Sequence, residues 1–344
     1  MKIFDSNGYI DIPKILGTKL PFLFVVGGRG TGKTYGALKT VIEQDIRFIL
    51  MRRTQSQVDL INKPEFSPFK SINRDLGIEI GSQALSKYNV GFYRMTENED
   101  GKLVPSGKVL GYSMALSTIS NLRGFDASDV TLLIFDEFIP ERHERPIKNE
   151  GAGFLNAFET INRNREIQGK PPLQVLCLAN ANDIGNPIFM ELGLVGKAER
   201  MKRKGQAYSL DYKRGIGIFM ITGSPISAEK QNTALYKVAA GSSFEDMAIR
   251  NDFEELKHGS VKPQPIVEYN PVCTVGEITV YKHKSLKQYY ITTLRVGDPE
   301  RFDATDTELK RWYRKYGYIW QQYLKDNILF EDTESEIIFQ HYMT

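Results

Sequence analysis

Cysteine is scarce. Cys177 and Cys273 are the only two in 344 residues, and Cys177 lies within "LQVLCLAN", which reads as a buried strand. That argues against a disulfide framework and fits a reducing compartment. No apolar run approaches the length needed to cross a membrane. The opening "MKIFDSNGYIDIPK" also lacks the apolar core of a secretion signal, so a cytoplasmic chain without a membrane partner is expected. An excess of one charge is missing too: 45 Lys and Arg against 42 Asp and Glu leave +3. This is too little to argue nucleic-acid binding, and any such contact has to come from local basic clusters. Internal repeats and low-complexity tracts are lacking, which leaves one large domain or two of ordinary size.

What is present begins at residue 27. "GGRGTGKT" follows the apolar run "PFLFVV" and leads into the helix-like stretch "KTYGALKTVIEQ". Strand, glycine loop and helix in that order confirm a phosphate-binding loop. Glycines let successive backbone N–H groups of Gly27, Gly28, Arg29, Gly30, Thr31 and Gly32 turn toward phosphates at the positive end of the helix. Lys33 can reach the outer phosphate oxygens, and the Thr34 hydroxyl can hold Mg²⁺. ATP and Mg²⁺ are therefore the expected ligands. The guanine-reading Asn-Lys-x-Asp of GTPases is missing, since the nearest stretch, "NKPE" at 62–65, has no aspartate.

Apolar strand-like runs recur at 21–26, 47–51, 130–135, 173–179 and 216–222, with polar, helix-compatible segments between them. Continuous apolar strands joined by crossovers predict an α/β fold with a mainly parallel sheet covered on both faces. Residues 88–116 read as a β-hairpin with a polar tip. After 224 the pattern changes. Short helices over 225–258 form a linker, and 259–344 holds a strand pair in "EITVYKHKSLKQYYITTL" and an amphipathic helix opened by Thr305 and Glu308. The expected division is thus a P-loop domain over 1–224, a helical linker, and a small α+β domain over 259–344.

The second strong motif is "LLIFDEF" at 132–138, two carboxylates at a strand end. Ligand sites of open α/β sheets lie at the carboxyl ends of strands. Asp136 would face Thr34 and support the metal, and Glu137 would polarise the attacking water. The long stretch between loop and acidic strand leaves room for an additional strand between them, as in the ATPases that move polymers (the ASCE type).

Other residues are open to two readings. Asn180, at the end of the strand "LQVLCLA", can sense the γ-phosphate or simply start a turn rich in Asn and Gly. Arg163 and Arg165 in "NRNRE" can complement a helix dipole, and an arginine there also suits insertion into a neighbour's ATP site. Arg52, Arg53 and Arg123 can touch a phosphate backbone or a neighbouring subunit, or be ordinary surface arginines. In the last helix Leu309, Trp312, Tyr313, Tyr316 and Trp320 share a face, a pattern read as core in preference to nucleic-acid contact.

Taken together, "FLFVVGGRGTGKTYGALK", "RFILMRRT", "LLIFDEFIP", "TINRNRE" and "LCLANANDIGNP" resemble, in order and spacing, the DNA-packaging motor ATPases of small tailed phages (the phi-twenty-nine type). More distantly they resemble large terminase subunits. The resemblance covers residues 15 to 190 well and the remainder only in layout. It implies a homopentameric ring that threads double-stranded DNA through the portal, or connector, of a preformed procapsid in the host cytoplasm, and it leaves room for a structural RNA. It also implies that Lys33 and Thr34 bind ATP and Mg²⁺, that Asp136 supports the metal, and that Glu137 is the catalytic base. Arg163 would be a finger acting in trans, and Arg123 a basic residue ahead of the acidic strand. The C-terminal domain would resemble a ribonuclease-H-like fold. Its Glu268, Glu277 and Asp298 are scattered, so no nuclease activity is expected. The alternatives are a related translocase or helicase unconnected with packaging, and a nucleotide-gated assembly factor; Glu137 argues against the latter.

Overall fold

The five apolar runs become strands in which nearly every residue is buried. Burial of consecutive residues means that both faces of the sheet are covered. The computed structural model describes residues 1–122, 126–140, 144, 147–180, 184–221, 233–238 and 260–343. The chain divides into two units, Met1–Leu192 with Met201–Phe253, and Gly193–Arg200 with Glu254–Thr344. Apart from 233–238, the expected linker at 225–258 lies outside the described residues.

The first unit holds β1 (Phe22–Gly27), β2 (Phe48–Arg52), β3 (Ile80–Ala84), β4 (Val90–Glu97), β5 (Leu103–Ala115), β6 (Leu132–Asp136), β7 (Gln174–Ala179), β8 (Tyr208–Asp211) and β9 (Ile216–Ile221). Their order in one nine-stranded sheet is β3-β4-β5-β2-β6-β7-β1-β9-β8. From β5 to β9 every pair is parallel. The expected hairpin is β4 and β5, and β3 adds to it antiparallel at the edge. Strand β7 lies between β1 and β6.

Register brings the carboxyl ends of the central strands to one level: Met51 pairs with Phe135, Asp136 with Leu178, and Val26 with Ala179. On one face Leu23 and Val25 pack with Ala37, Leu38 and Val41 of the helix Lys33–Glu43. On the other, Phe24 meets Phe138 and Phe189 at 5.7 and 5.3 Å between ring centroids. Phe154 of the helix Glu150–Asn162 stacks on Phe135 at 5.8 Å. Each fully buried phenylalanine stabilises the sheet by about 2 kcal/mol through apolar area withdrawn from water.

The second unit is built on β10 (Tyr269–Val275), β11 (Ile278–His283), β12 (Tyr289–Thr292), β13 (Glu300–Phe302) and β14 (Ile328–Phe330), ordered β13-β10-β11-β12-β14. The first three form an antiparallel meander, with β13 parallel to β10 and β14 parallel to β12. The last amphipathic stretch is two helices, Asp306–Tyr316 and Tyr318–Leu324, parted at Gly317. A Cβ at Gly317 would stand 2.6 Å from the Tyr313 carbonyl oxygen, so only glycine fits there. The aromatic stripe is core. Trp312 is fully buried beside Cys273 and Phe339, with Leu309, Tyr316 and Trp320 packed against the same cluster, while Tyr313 is half exposed. Among the basic residues of this helix, Lys315 and Arg311 pair with Glu300.

Two outcomes are expected. Trp312→Ala should cost about 3–5 kcal/mol in denaturant unfolding of the second unit, because a large cavity opens in its core. An unchanged midpoint would mean that the stripe is not core. Both thiols are buried, and burial pushes them up, Cys273 to about 12. At pH 8 neither should react with a chromogenic disulfide reagent until denaturant is added.

Candidate functional site

Four segments converge where the parallel strands end: the loop after β1, the residues closing β2, the acid pair at β6 and Asn180 after β7. The loop depends on glycine at two places. A Cβ at Gly27 would lie 2.4 Å from the Ile221 Cβ on the adjacent strand, and Gly32 has φ +82° with the Tyr9 ring against it. Glycine alone adopts that backbone without steric cost, and it lets the chain enter the helix Lys33–Glu43 directly.

Lys33 is buried, and its ammonium donates to the carbonyls of Gly27 and Gly28, both at 2.7 Å. The Oδ1 of Asn180 is 3.5 Å away. The Thr34 hydroxyl donates to Asp136 Oδ1 at 3.0 Å. Arg29 is half-buried within the loop. Thr31 ties the loop to the N-terminal segment, since its carbonyl accepts from Ile10 N at 3.1 Å. That segment also supplies Tyr9, which with Tyr35, Arg74 and Asp75 borders a cavity of about 650 Å³ beside the loop. Sequence reasoning missed these residues, because no motif marks them.

Asp136 is 3 % exposed. A carboxylate so buried needs partners, and Arg52 provides the charge. One guanidinium nitrogen lies 2.9 Å from Asp136 Oδ2 and another 2.7 Å from Glu137 Oε2. Glu137 is half exposed and has φ +57°, a left-handed backbone that costs a non-glycine residue about 1 kcal/mol or more. The bond from Phe138 N to the Leu178 carbonyl, at 3.2 Å, pins the turn that holds it there.

Of Arg52, Arg53 and Arg123, each open to more than one reading in the sequence, the first two fall in separate settings. Arg52 turns to the acid pair. Arg53 is fully buried and pairs with Glu150 and Glu144. Arg123 lies outside the described residues. The "NRNRE" arginines also separate. Arg165 is buried and donates to the carbonyls of Pro171, Ser128 and Val130 at 2.9–3.1 Å. Arg163 closes the helix Glu150–Asn162 with φ +47° and a side chain 46 % exposed. Arg165 holds the turn together, and Arg163 is presented by it.

These placements predict opposite behaviour of two neighbouring arginines in urea unfolding. Arg163→Ala should shift stability by less than about 0.5 kcal/mol, as exposed positions do. Arg165→Met should cost about 2 kcal/mol or more, because buried carbonyls lose their donor. Equal losses would contradict the division of roles.

The DNA packaging protein of Bacillus phage phi29 is 24% identical over 254 residues, 72% of this chain and 67% of that one. That of Bacillus phage B103 is 29% identical over 235 residues, 67% of this chain and 63% of its own length. Among solved structures, "The Phi-28 gp11 DNA packaging Motor" superposes with a TM-score of 0.66 at 18% identity and covers 98% of both chains. The phi-29 viral genome packaging motor assembly gives 0.65 at 19% identity, over 98% of this chain and 100% of that one. The model of the podovirus DNA encapsidation protein (Gp16) matches residues 4–258. Since that span takes in the loop, the acid pair and both "NRNRE" arginines, the chain belongs to the podovirus DNA encapsidation protein (Gp16) family.

Proposed function

We propose that the chain is an ATP-hydrolysing translocase that packages double-stranded phage DNA into a preformed procapsid. The observation that carries this reading is the pairing of Thr34 with Asp136 at the carboxyl edge of the sheet, with Glu137 next in the chain. Membership of an encapsidation family supplies the biological setting.

The residues present fit ATP and Mg²⁺. A loop with left-handed glycines at 30 and 32 opens a helix, and a buried lysine rests on the loop's own carbonyls. Backbone N–H groups from Gly27 to Gly32 would hold the phosphates, with Lys33 on their outer oxygens. Thr34 and Asp136 would hold Mg²⁺, which when bound neutralises phosphate charge. Glu137 would orient and polarise the attacking water. Its carboxylate is engaged by Arg52 as it stands, so that ion pair has to loosen before the oxygen can serve as a base. Asn180, within reach of Lys33, is placed to register phosphate loss. The cavity beside Tyr9 and Tyr35 offers room for a nucleoside.

The position of β7 between β1 and β6 supports assignment to the additional-strand (ASCE) class. Arg163, exposed at a strained turn, would act on the site of an adjacent copy, which requires a closed ring. A homopentamer on the portal vertex in the host cytoplasm, with or without a structural RNA, is the proposed assembly. In the second unit the antiparallel meander with β13 parallel beside its first strand supports a ribonuclease-H-like ancestry. We read that unit as a nuclease-like module without nuclease activity.

Steady-state ATP hydrolysis with and without long double-stranded DNA tests the reading. DNA should stimulate wild type. Glu137→Gln should lower turnover by about 10²-fold or more while ATP still binds. Turnover indifferent to DNA would overturn the translocase assignment.

A further inference from the structure

Arg53 follows Arg52 directly, yet serves a different set of partners. Its Nε and Nη2 donate to the two oxygens of Glu150 at 2.6 and 2.8 Å, and its Nη1 donates to Glu144 Oε2 at 2.8 Å. Glu144 also accepts from Gln57 Nε2 at 2.9 Å, and the Arg53 carbonyl accepts from Ser117 N at 3.0 Å. Burial alone would lower the pKa of this guanidinium, but the hydrogen bonds and charges of Glu150 and Glu144 outweigh it and raise the value. The cation is therefore permanent.

Filling the same space with apolar side chains would serve stability as well, because buried ion pairs are often neutral or worse than well-packed hydrophobic replacements. What a two-pronged guanidinium–carboxylate pair adds is direction, since the planar fork accepts the carboxylate in one orientation. Glu150 is the first residue of a 13-residue helix whose chain passes straight into Arg163. Such a helix is about 20 Å of stiff rod, so an orientation imposed at Glu150 is carried to the far end. There Arg165 locks the following turn to the carbonyls of Ser128 and Val130.

We infer that Arg53, acting through Glu150, is a positioning residue for Arg163: it registers the helix Glu150–Asn162 against the end of β2. The last residue of β2 thus grips the acid pair, and the residue directly after it sets the placement of the finger. The inference rests on the proposed reading that Arg163 completes the site of an adjacent copy.

Equimolar mixtures of full-length variants, assayed for DNA-stimulated ATP hydrolysis, separate the possibilities. Arg53→Lys keeps the charge and loses the fork. It should fold with wild-type far-UV circular dichroism, bind a fluorescent ATP analogue with near wild-type affinity, and hydrolyse ATP roughly 100-fold more slowly, the scale expected of a misplaced group. Mixing it with Glu137→Gln, which carries an intact Arg163, should restore hydrolysis; mixing it with Arg163→Ala should not. The reverse pattern would place the defect in the variant's own acid pair and overturn the inference. So would undiminished activity, or weakened nucleotide binding with recovery in neither mixture. The control mixture of Glu137→Gln with Arg163→Ala tests the underlying reading: without recovery there, action in trans falls, and the inference with it. Should Arg53→Lys not fold, Glu150→Gln is scored against the same two partners and judged by the same outcomes.

Discussion

A carboxylate removed from water has to be matched by donors, and the first unit is arranged around meeting that demand at Asp136. The hydroxyl of Thr34, in the first turn of the helix after β1, and the guanidinium of Arg52, at the end of β2, supply the match. Neither could reach it unless β1, β2 and β6 ended at one level, and the pairing registers set that level. Because β7 separates β1 from β6, the loop and the acid pair face each other across a full strand's width. The sheet is therefore more than a scaffold: its order and register determine which polar groups can share the small space at its carboxyl edge.

Arginine recurs through this region in distinct physical settings. Arg52 shares its charge between Asp136 and Glu137 at the mouth of the site. Arg53 and Arg165 are buried, one in a carboxylate pair and the other among backbone carbonyls, and both stiffen the surroundings of a single helix. Arg163, between these anchors in the fold, is the one with an exposed head and a strained backbone. Positive φ at Arg163 and at Glu137 is the kind of local cost that persists only where neighbouring structure enforces it, and here the enforcing bonds are visible on both sides.

The second unit follows a simpler logic. Its meander buries Cys273, Val275, Val280 and Ile291, and Trp312 closes that core from the helix above. Apart from half-exposed Tyr313, the aromatic density that on paper suggests stacking on bases is consumed internally, and Glu300 takes up part of the accompanying positive charge.

Much of this was legible in the residues alone. Apolar runs long enough to be strands, a glycine loop before a helix, and paired carboxylates at a strand end are local patterns with local causes, so the parallel α/β core and the residues Lys33, Thr34, Asp136 and Glu137 were nameable without coordinates. Strand β3 was not, since its one fully buried residue, Ile80, gives too weak an alternation to detect. The N-terminal segment around Tyr9 was missed because no motif marks it. The arginines marked the limit most clearly. Chain position and residue type are nearly the same for Arg52 and Arg53, or for Arg163 and Arg165, yet one side chain of each pair is buried in the fold while the other meets the acid pair or solvent. Local sequence determined what chemistry the chain carries. Which arginine met which partner was decided only in the folded chain, because those partners lie far along the sequence, Glu150 97 positions from Arg53 and Val130 35 from Arg165, and only folding brings them within hydrogen-bond reach.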